Sequence, residues 1–427
     1  MKPALPYIVL LILVAASALI AQTTTGSVTG TVTDPSGAAM ANVKISATNV
    51  ATGVPFPAET NAAGVYSILF LPPGAYNVSA ETRGFKKSVL GPLHLEVNQI
   101  ARVDIAMEVG DLTHAVDVIA VAPILQTESV ATGDTITSTK LTSLPLNGRN
   151  FATLLILIPG AITTYPSNMS TSGRFQGSGS RPQVNGNREQ TNNFLLDCVD
   201  VNDSANNRIG YQPNVDALEE VKVLTGNAGA EFGNVGGASV IMTLKGGTNS
   251  FHGNAFKFLR NEKLDANGFF ANRSGVPRTA LRRNIFGGTL GGPLRRNRAF
   301  FFIDYEGTEQ HTAGPALASV APAAWRSGDP SPLLTLGEIV RDPLTLASFP
   351  GNIIPQARIA NPVAAKLFSS PDLYPLPNNL GVGPLGVTNN YMADARSRLS
   401  NHQADAKGDW RPSGKDTISG RWSNQPL

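Results

Sequence analysis

The sequence predicts a mainly β protein with three successive parts: a small Ig-like β-sandwich, an α+β domain, and strands that alternate like those of a transmembrane β-barrel. The 42 Gly and 30 Pro residues among 427 separate short apolar or alternating runs, which is typical of many short strands joined by turns. Charged residues make up only 15% of the chain, well below the quarter or so that is usual in soluble domains. The near balance of 34 Lys and Arg against 31 Asp and Glu argues against a nucleic-acid partner.

The first residues have the pattern of a secretory signal peptide. A lysine precedes an apolar run from Tyr7 to Ile20, and about 14 residues are too few for a spanning helix but suit a signal-peptide core. Small residues at Ala16 and Ala18 fit the cleavage rule, and cleavage after Ala21 is the alternative. An uncleaved anchor is the competing interpretation. We therefore expect residues 1–21 to be a signal peptide and the protein to be exported.

Residues 22–110 are predicted to form the sandwich. Val28, Gly30 and Val32 alternate with polar residues, as in a strand with one buried face. The turn that follows, Asp34 to Gly37, has Pro at its second position and Gly at its fourth. About seven such strands in about 85 residues are typical of a small β-sandwich.

Residues 111–246 are predicted to form the α+β domain. Two short helices are predicted, at Ser138–Leu144 and at the very apolar stretch Phe151–Ile158. The other expected elements are a pair of strands at Gln183–Gly186 and Phe194–Asp197, a helical turn at Ala217–Val221 before a strand at Val223–Leu224, and a strand at Ser239–Leu244.

From residue 247 to 427 the segments alternate as barrel strands do. Phe301, Ile303 and Tyr305 share one face of a strand, and Asp304 and Glu306 share the other. No stretch after the N-terminus approaches 18 apolar residues, so any membrane crossing there is expected to use strands. We expect five strands, near 251–260, 283–291, 299–308, 403–410 and 417–423, with Phe256 and Phe258 facing away from Lys257 in the first, and a long Pro-rich connection from His311 to Asn401.

Three motifs in the first segment resemble the carboxypeptidase regulatory-like domain. They are Gly30–Asp34, Asn61–Tyr66 and Leu71–Tyr76. The resemblance implies a non-catalytic module of the kind grouped with carbohydrate-binding-like sandwiches.

Motifs in the rest of the chain resemble the plug domain and first barrel strands of Oar-like TonB-dependent outer-membrane transporters, and they occur in family order. They are Leu144–Phe151, Val184–Arg188, Asn193–Asp197, Asp216–Glu220, Ser250–Gly253, Phe258–Asn261 and Thr289–Pro293. The chain departs from the family pattern at Cys198, where that pattern usually has Gly. If this position has a positive φ, a Cβ there costs about 1–2 kcal/mol.

The resemblance implies energised uptake or traffic of a large, unidentified solute across the outer membrane of a Gram-negative cell, with the plug blocking a barrel of about 22 strands. It also implies TonB, whose periplasmic domain captures a short segment before the plug by adding a strand to it. The segment that resembles such a TonB box is Asp117, Val118, Ile119, Ala120 and Val121. An ordinary linking strand is the alternative.

We expect no enzyme activity, no cofactor and no metal site. No nucleophile motif or phosphate loop is present, and the five histidines are scattered along the chain. The competing function is a secreted or surface-attached, non-enzymatic binding or structural β-protein, specific for glycan or peptide and derived from such a transporter.

We also expect the barrel to be incomplete in this chain. About 22 strands of about 10 residues need about 220 residues before any loop is counted. Thr248 to Leu427 supplies only 180 residues, and the long connection uses half of them.

Overall fold

The computed structural model describes residues 24–110, 128–163, 181–233, 236–273, 275, 277–359, 361–414 and 416–425. The chain divides into two compact units, one formed by Met1–Lys257, Ile285–Gly307 and Asn401–Leu427, the other by Phe258–Asn284 and Thr308–Ser400. The fold class predicted from the sequence is confirmed. No helix within the described ranges has the length and apolar character needed to span a membrane.

The N-terminal sandwich has eight strands in two sheets. They are β1 (Gly26–Thr33), β2 (Lys44–Asn49), β3 (Pro55–Glu59), β4 (Val65–Leu71), β5 (Gly74–Glu81), β6 (Ser88–Leu95), β7 (Ile100–Arg102) and β8 (Ile105–Ala106). One sheet has the order β4-β1-β7, with β8 also on β1, and the other has the order β3-β2-β5-β6. Alternate residues of β1 are buried, as predicted, and Val28 and Val32 join the core between the sheets.

The middle domain is a five-stranded sheet covered by short helices. Its strands are β9 (Thr132–Thr137), β12 (Asn193–Leu196), β13 (Val199–Asp200), β14 (Leu218–Gly226) and β15 (Ser239–Leu244), in the order β13-β12-β15-β14-β9, and β10 (Ala161–Ile162) pairs separately with β11 (Gln183–Val184). Its helices are an α-helix at Ser138–Ser143 and 3₁₀ turns at Asn147–Arg149, Phe151–Leu157, Glu189–Thr191 and Val215–Ala217. Both predicted helices are therefore present, the second as a 3₁₀ helix that is buried on one side.

Two details predicted for the middle domain are wrong. Phe194–Asp197 does not pair with Gln183–Gly186, because β12 is buried along its whole length and runs parallel to β15, while β11 pairs with β10. The helical turn expected at Ala217–Val221 lies earlier, because the side chain of Asn214 caps the N–H of Asp216 and starts a 3₁₀ turn there.

The C-terminal sheet contains the five predicted strands, hydrogen-bonded in sequence order. They are β16 (His252–Asn261), β17 (Ala280–Arg295), β18 (Ala299–Ala318), β19 (Tyr391–Trp410) and β20 (Ile418–Asn424). Among the described strands the sheet is open, since β16 and β20 are not bonded to each other. The connection expected from His311 to Asn401 is shorter, because backbone hydrogen bonds extend β18 and β19 past the point where side-chain alternation stops.

The second unit carries the distal parts of β17, β18 and β19 and the connection between the last two. Short helical segments lie at Glu262–Leu264, Phe269–Arg273, Ala323–Arg326, Ser331–Leu336, Pro350–Asn352, Gln356–Arg358 and Pro362–Phe368. The side chain of Asn390 closes the base of this connection by bonding both the N–H of Val320 (2.8 Å) and its carbonyl (2.9 Å). The guanidinium of Arg326 lies 4.4 Å from the ring centre of Tyr374.

Candidate functional site

The candidate site is the contact between the middle domain and the inner face of the C-terminal sheet, within the first unit. Arg149 lies at its centre and has a positive φ of 54° at the end of a 3₁₀ turn. The next residue, Asn150, accepts a hydrogen bond from the N–H of Ala152 at 3.0 Å and starts the partly buried helix Phe151–Leu157. This local geometry fixes the base of the Arg149 side chain.

The guanidinium of Arg149 joins carboxylates from the two sides of the contact. One nitrogen, Nη2, donates to Asp216 of the middle domain, and Nε donates to Oε2 of Glu306 in β18 at 3.1 Å. The ring centre of Phe256 in β16 lies 4.4 Å from Cζ, a cation–π contact. All three charged side chains are buried. Buried charges are stable only when they are paired and hydrogen-bonded, so this network fixes the middle domain against the sheet.

Two asparagines extend the network. Asn254 of β16 donates to Oδ1 of Asp216 at 2.6 Å. The amide oxygen of Asn214 accepts the N–H of Asp216 at 3.0 Å, and its nitrogen reaches Asp304 of β18 at 3.4 Å. Burial lowers the pKa of Arg149, and the charge of Asp216 opposes that effect. The arginine therefore depends on its carboxylate partners for its stability in the charged form.

A second contact is made by the turn between β12 and β13. Asp197 and Cys198 have φ values of 44° and 69°, the two positive values of a type I′ hairpin turn. Cys198 thus occupies a position that favours glycine. The carboxylate of Asp197 lies 3.2 Å from Nζ of Lys407 in β19 and 3.7 Å from Nε of Arg421 in β20. The turn is therefore tied by charge to the last two strands of the sheet.

A third contact is the hydrogen bond from the Tyr211 hydroxyl to Oδ2 of Asp405 in β19, at 2.6 Å. Ser423 of β20 donates to the other oxygen of the same carboxylate. Burial, and then the negative charge of Asp405, raise the pKa of Tyr211 above its ordinary value. The phenol therefore stays protonated and acts as the donor.

The TonB-box candidate, Asp117 to Val121, lies outside the described residues. The chain is described again from Glu128, whose carboxylate lies 3.3 Å from Nη1 of Arg102 in the sandwich. Before the candidate, the N–H of Gly110 donates to the carbonyl of Gly84 at 3.2 Å. Across the described ranges, no three His, Cys, Asp or Glu side chains are grouped as metal ligands.

Sequence reasoning did not single out Arg149 and its partners, although the signals were present. Arg149 and Asp216 lie within the plug-like motifs Leu144–Phe151 and Asp216–Glu220. The alternation of β18 correctly places Asp304 and Glu306 on the face opposite Ile303 and Tyr305. In β16 the aromatic face is not an outward one, because Phe256 packs against Arg149. An acidic residue on the inner face of a strand is the signal that points to a buried cation.

Three family models match consecutive parts of the chain. A carboxypeptidase regulatory-like domain matches residues 27–108, a TonB-dependent receptor plug domain matches residues 126–240, and an outer membrane beta barrel domain matches residues 243–426. The chain is therefore similar in its domain order to TonB-dependent transporters. The Arg149 network joins the part that matches the plug domain to the part that matches the barrel domain.

Among curated proteins, the TonB-dependent transporter Oar of Myxococcus xanthus is 26% identical to this chain over 302 residues, which cover 68% of this chain and 27% of Oar. A mutant of the ferric enterobactin receptor PfeA from Pseudomonas aeruginosa, in complex with enterobactin, is 15% identical, with a TM-score of 0.35 over 70% of this chain and 34% of PfeA. The outer membrane transporter YddB from Escherichia coli is 14% identical, with a TM-score of 0.39 over 67% of this chain and 32% of YddB. The chain thus spans about a quarter of the curated relative's length.

Proposed function

We propose that this chain supplies the sandwich (22–110), plug (111–246) and first barrel strands (247–427) of a transporter that moves a large solute across the outer membrane with energy drawn through TonB. The observation that supports this most directly is the Arg149 network. It contributes buried ions and amides to the contact, beside the apolar packing of Phe256 and Phe302. Water can solvate these polar groups when the domains separate, whereas separation of a contact made only of apolar side chains exposes its whole surface to water.

The proposed location is the outer membrane of a Gram-negative cell, reached through the signal peptide at residues 1–21. The exposed side chains Ile303 and Tyr305 on β18 support a lipid-facing outer surface, since their inner-face neighbours carry the polar contacts. The proposal assigns the chain no catalytic step and no cofactor.

The proposed partner on the periplasmic side is TonB, which captures the segment Asp117 to Val121 as an added strand. The segment lies between the sandwich and β9, so a pull on it acts first on the plug's first strand. In strand addition the backbone N–H and C=O groups supply the affinity, so a proline in the segment removes a donor.

Fractionation and TonB crosslinking of the protein in its own cells test the proposal. We expect the wild type in the outer-membrane fraction and crosslinked to TonB. Ile119→Pro should lose the crosslink while remaining in that fraction, and Ile119→Val, which keeps the donor and the β propensity, should retain it. Release of the wild type into the medium would support the secreted binding protein instead. An undiminished crosslink in Ile119→Pro would leave 117–121 as an ordinary linker.

A further inference from the structure

The turn between β6 and β7 of the sandwich is inserted into the middle domain. Val97 in this turn is completely buried but does not belong to the core of the sandwich. It packs instead on the second face of the middle-domain sheet, with Leu224, Leu195, Ile241 and Phe232. The turn therefore places an apolar side chain in the core of another domain, and this side chain is not part of the sandwich core.

The residue before Val97 joins two neighbouring strands of that sheet. Oε2 of Glu96 accepts a hydrogen bond from the Thr135 hydroxyl at 2.6 Å and one from Nζ of Lys222 at 2.8 Å. Thr135 in β9 and Lys222 in β14 are direct partners in the antiparallel register. The N–H of Val97 donates to the carboxylate of Glu220 in β14. One sandwich residue thus links the two members of a single cross-strand pair.

β9 is an edge strand of that sheet. Its described partner is β14 alone, and four residues separate it from the segment 111–127. An edge strand held on one side separates more readily than a central strand, because only one ladder of hydrogen bonds must break.

The sandwich has further attachments, at Asn249 before β16 and at Arg411 after β19. Asn249 donates to the carbonyl of Thr52 and to Oδ1 of Asn297, both at 2.6 Å. The guanidinium of Arg411 lies 4.3 Å from the ring centre of Phe56 in β3. These contacts hold the sandwich to the C-terminal sheet and so fix the position from which the Glu96-Val97 turn reaches β9.

We propose that the N-terminal sandwich is a clasp, whose Glu96-Val97 turn fastens β9 to β14 and keeps the first strand of the plug from separating. This goes beyond the proposed transport function, which assigns the sandwich no task. It also explains why the turn carries Val97, an apolar residue that is not part of the core of its own domain.

A zero-length carbodiimide crosslink tests whether the clasp is closed in solution. In protein extracted from outer membranes in detergent, the reagent should join Glu96 to Lys222, and mass spectrometry should identify the linked peptides. The pair Lys86 and Glu108, 3.1 Å apart within the sandwich, is the internal control. Absence of the first link while the second forms would overturn the proposal.

Hydrogen exchange at Thr132–Thr137 tests whether the clasp holds β9. Val97→Asp places a charge in the apolar contact and should abolish the link from Glu96 to Lys222, keep that from Lys86 to Glu108, and raise β9 exchange at least tenfold. Leu69→Asp, on an exposed position of the same sandwich, should change neither the crosslinks nor the exchange of β9. Loss of the link with unchanged β9 exchange would overturn the proposal, as would persistence of the link in Val97→Asp.

Loss of both crosslinks, Glu96 to Lys222 and Lys86 to Glu108, would show that Val97→Asp does not fold. In that event a milder variant tests the clasp. Thr135→Val removes one hydroxyl from the clasp and keeps the shape and β propensity of the residue. We expect β9 exchange to rise about threefold, and no rise would overturn the clasp. These measurements require neither TonB nor a solute, so their failure would leave the transport proposal intact.

Discussion

Arg149 and Glu306 are 157 positions apart in the chain, and their side chains meet at 3.1 Å between Nε and Oε2. The contact joins a turn of the middle domain to the inner face of β18. Two positions before Glu306 on the same face is Asp304, and before that Phe302, which is part of the hydrophobic core of the middle domain. One face of β18 thus provides both apolar packing and charge pairing for the domain that it contacts.

The first prediction concerns Arg149→Met. The variant keeps much of the side-chain volume but leaves the carboxylates of Asp216 and Glu306 buried without this cation. Breaking a buried ion pair from one side costs about 3–5 kcal/mol. We expect the free energy of unfolding in urea, measured on the detergent-solubilised protein, to fall by that amount.

Two controls accompany this variant. Arg149→Lys should recover only part of the loss, because an ammonium cannot bind two carboxylates through a planar fork while stacking on Phe256. Arg83→Met changes an exposed arginine of the sandwich and should be nearly neutral. Equal stability of Arg149→Met and wild type would show that the network does not hold the domain.

The second prediction is a pH dependence that comes from Glu220. Burial raises the pKa of this carboxyl from 4.5 to about 7, with Glu96 adding to the rise and the Val97 N–H and Lys222 opposing it. At pH values between 4.5 and about 7, Glu220 is largely protonated in the folded protein and largely ionised in the unfolded chain. The contribution of Glu220 is therefore fully present below pH 4.5 and is lost as the pH rises through about 7, by roughly 3 kcal/mol at most.

Unfolding in urea from pH 4.5 to 8 measures this effect. Glu220→Gln cannot titrate and keeps an amide oxygen for the Val97 N–H, so its stability should exceed that of the wild type above pH 7 and vary less with pH. Glu219→Gln, at the half-buried neighbouring position, should keep the pH dependence of the wild type. Identical pH profiles for the wild type and Glu220→Gln would contradict the prediction.

The sequence was most informative where burial follows a regular period. Alternation along β1 and β18 predicted both the strands and their buried faces, because side chains in a strand point alternately to opposite sides. The apolar stretch Phe151–Ile158 was correctly predicted to contain a short helix, but only one side of that helix is buried, since Ile156 and Leu157 are exposed.

It was least informative where distant parts of the chain decide the structure. β12 pairs with β15 rather than with the nearby β11, and no local pattern distinguishes these partners. Neither Val97 nor Glu96 stands out in the sequence, because the contacts of each are made with a surface in another domain. The pairing of Arg149 with its carboxylates is not predictable from the sequence either, because they come from segments far away in the chain.

The third prediction concerns Cys198→Gly. The φ of 69° at Cys198 is the conformation that a Cβ disfavours and glycine adopts freely. We expect the substitution to be neutral or to stabilise the protein by up to about 1 kcal/mol in urea unfolding, although glycine usually destabilises.

The neighbouring strand provides a matched control. Val199→Gly lies one residue further along the same hairpin, in β13, where the backbone is extended and the β-branched side chain favours the strand. We expect it to lose about 0.5–1 kcal/mol. A similar loss in Cys198→Gly would show that the turn gains nothing from glycine.

The last prediction ranks the two cations that bind Asp197. Lys407 lies 3.2 Å from the carboxylate and donates to the carbonyl of Leu244 at 3.1 Å. Arg421 lies 3.7 Å from the carboxylate and donates to the carbonyl of Leu196 at 3.3 Å. Coulomb energy falls with distance and longer hydrogen bonds are weaker, so both contacts of Lys407 are the stronger ones. Lys407→Met should therefore destabilise by about 1.5–3 kcal/mol, and Arg421→Met by less. Double-mutant cycles that combine Asp197→Asn with Lys407→Met or with Arg421→Met measure the coupling energy between the carboxylate and each cation. Asparagine suits this cycle because it removes the charge and tolerates the positive φ. A coupling energy that is larger for Arg421 than for Lys407 would reverse the ranking.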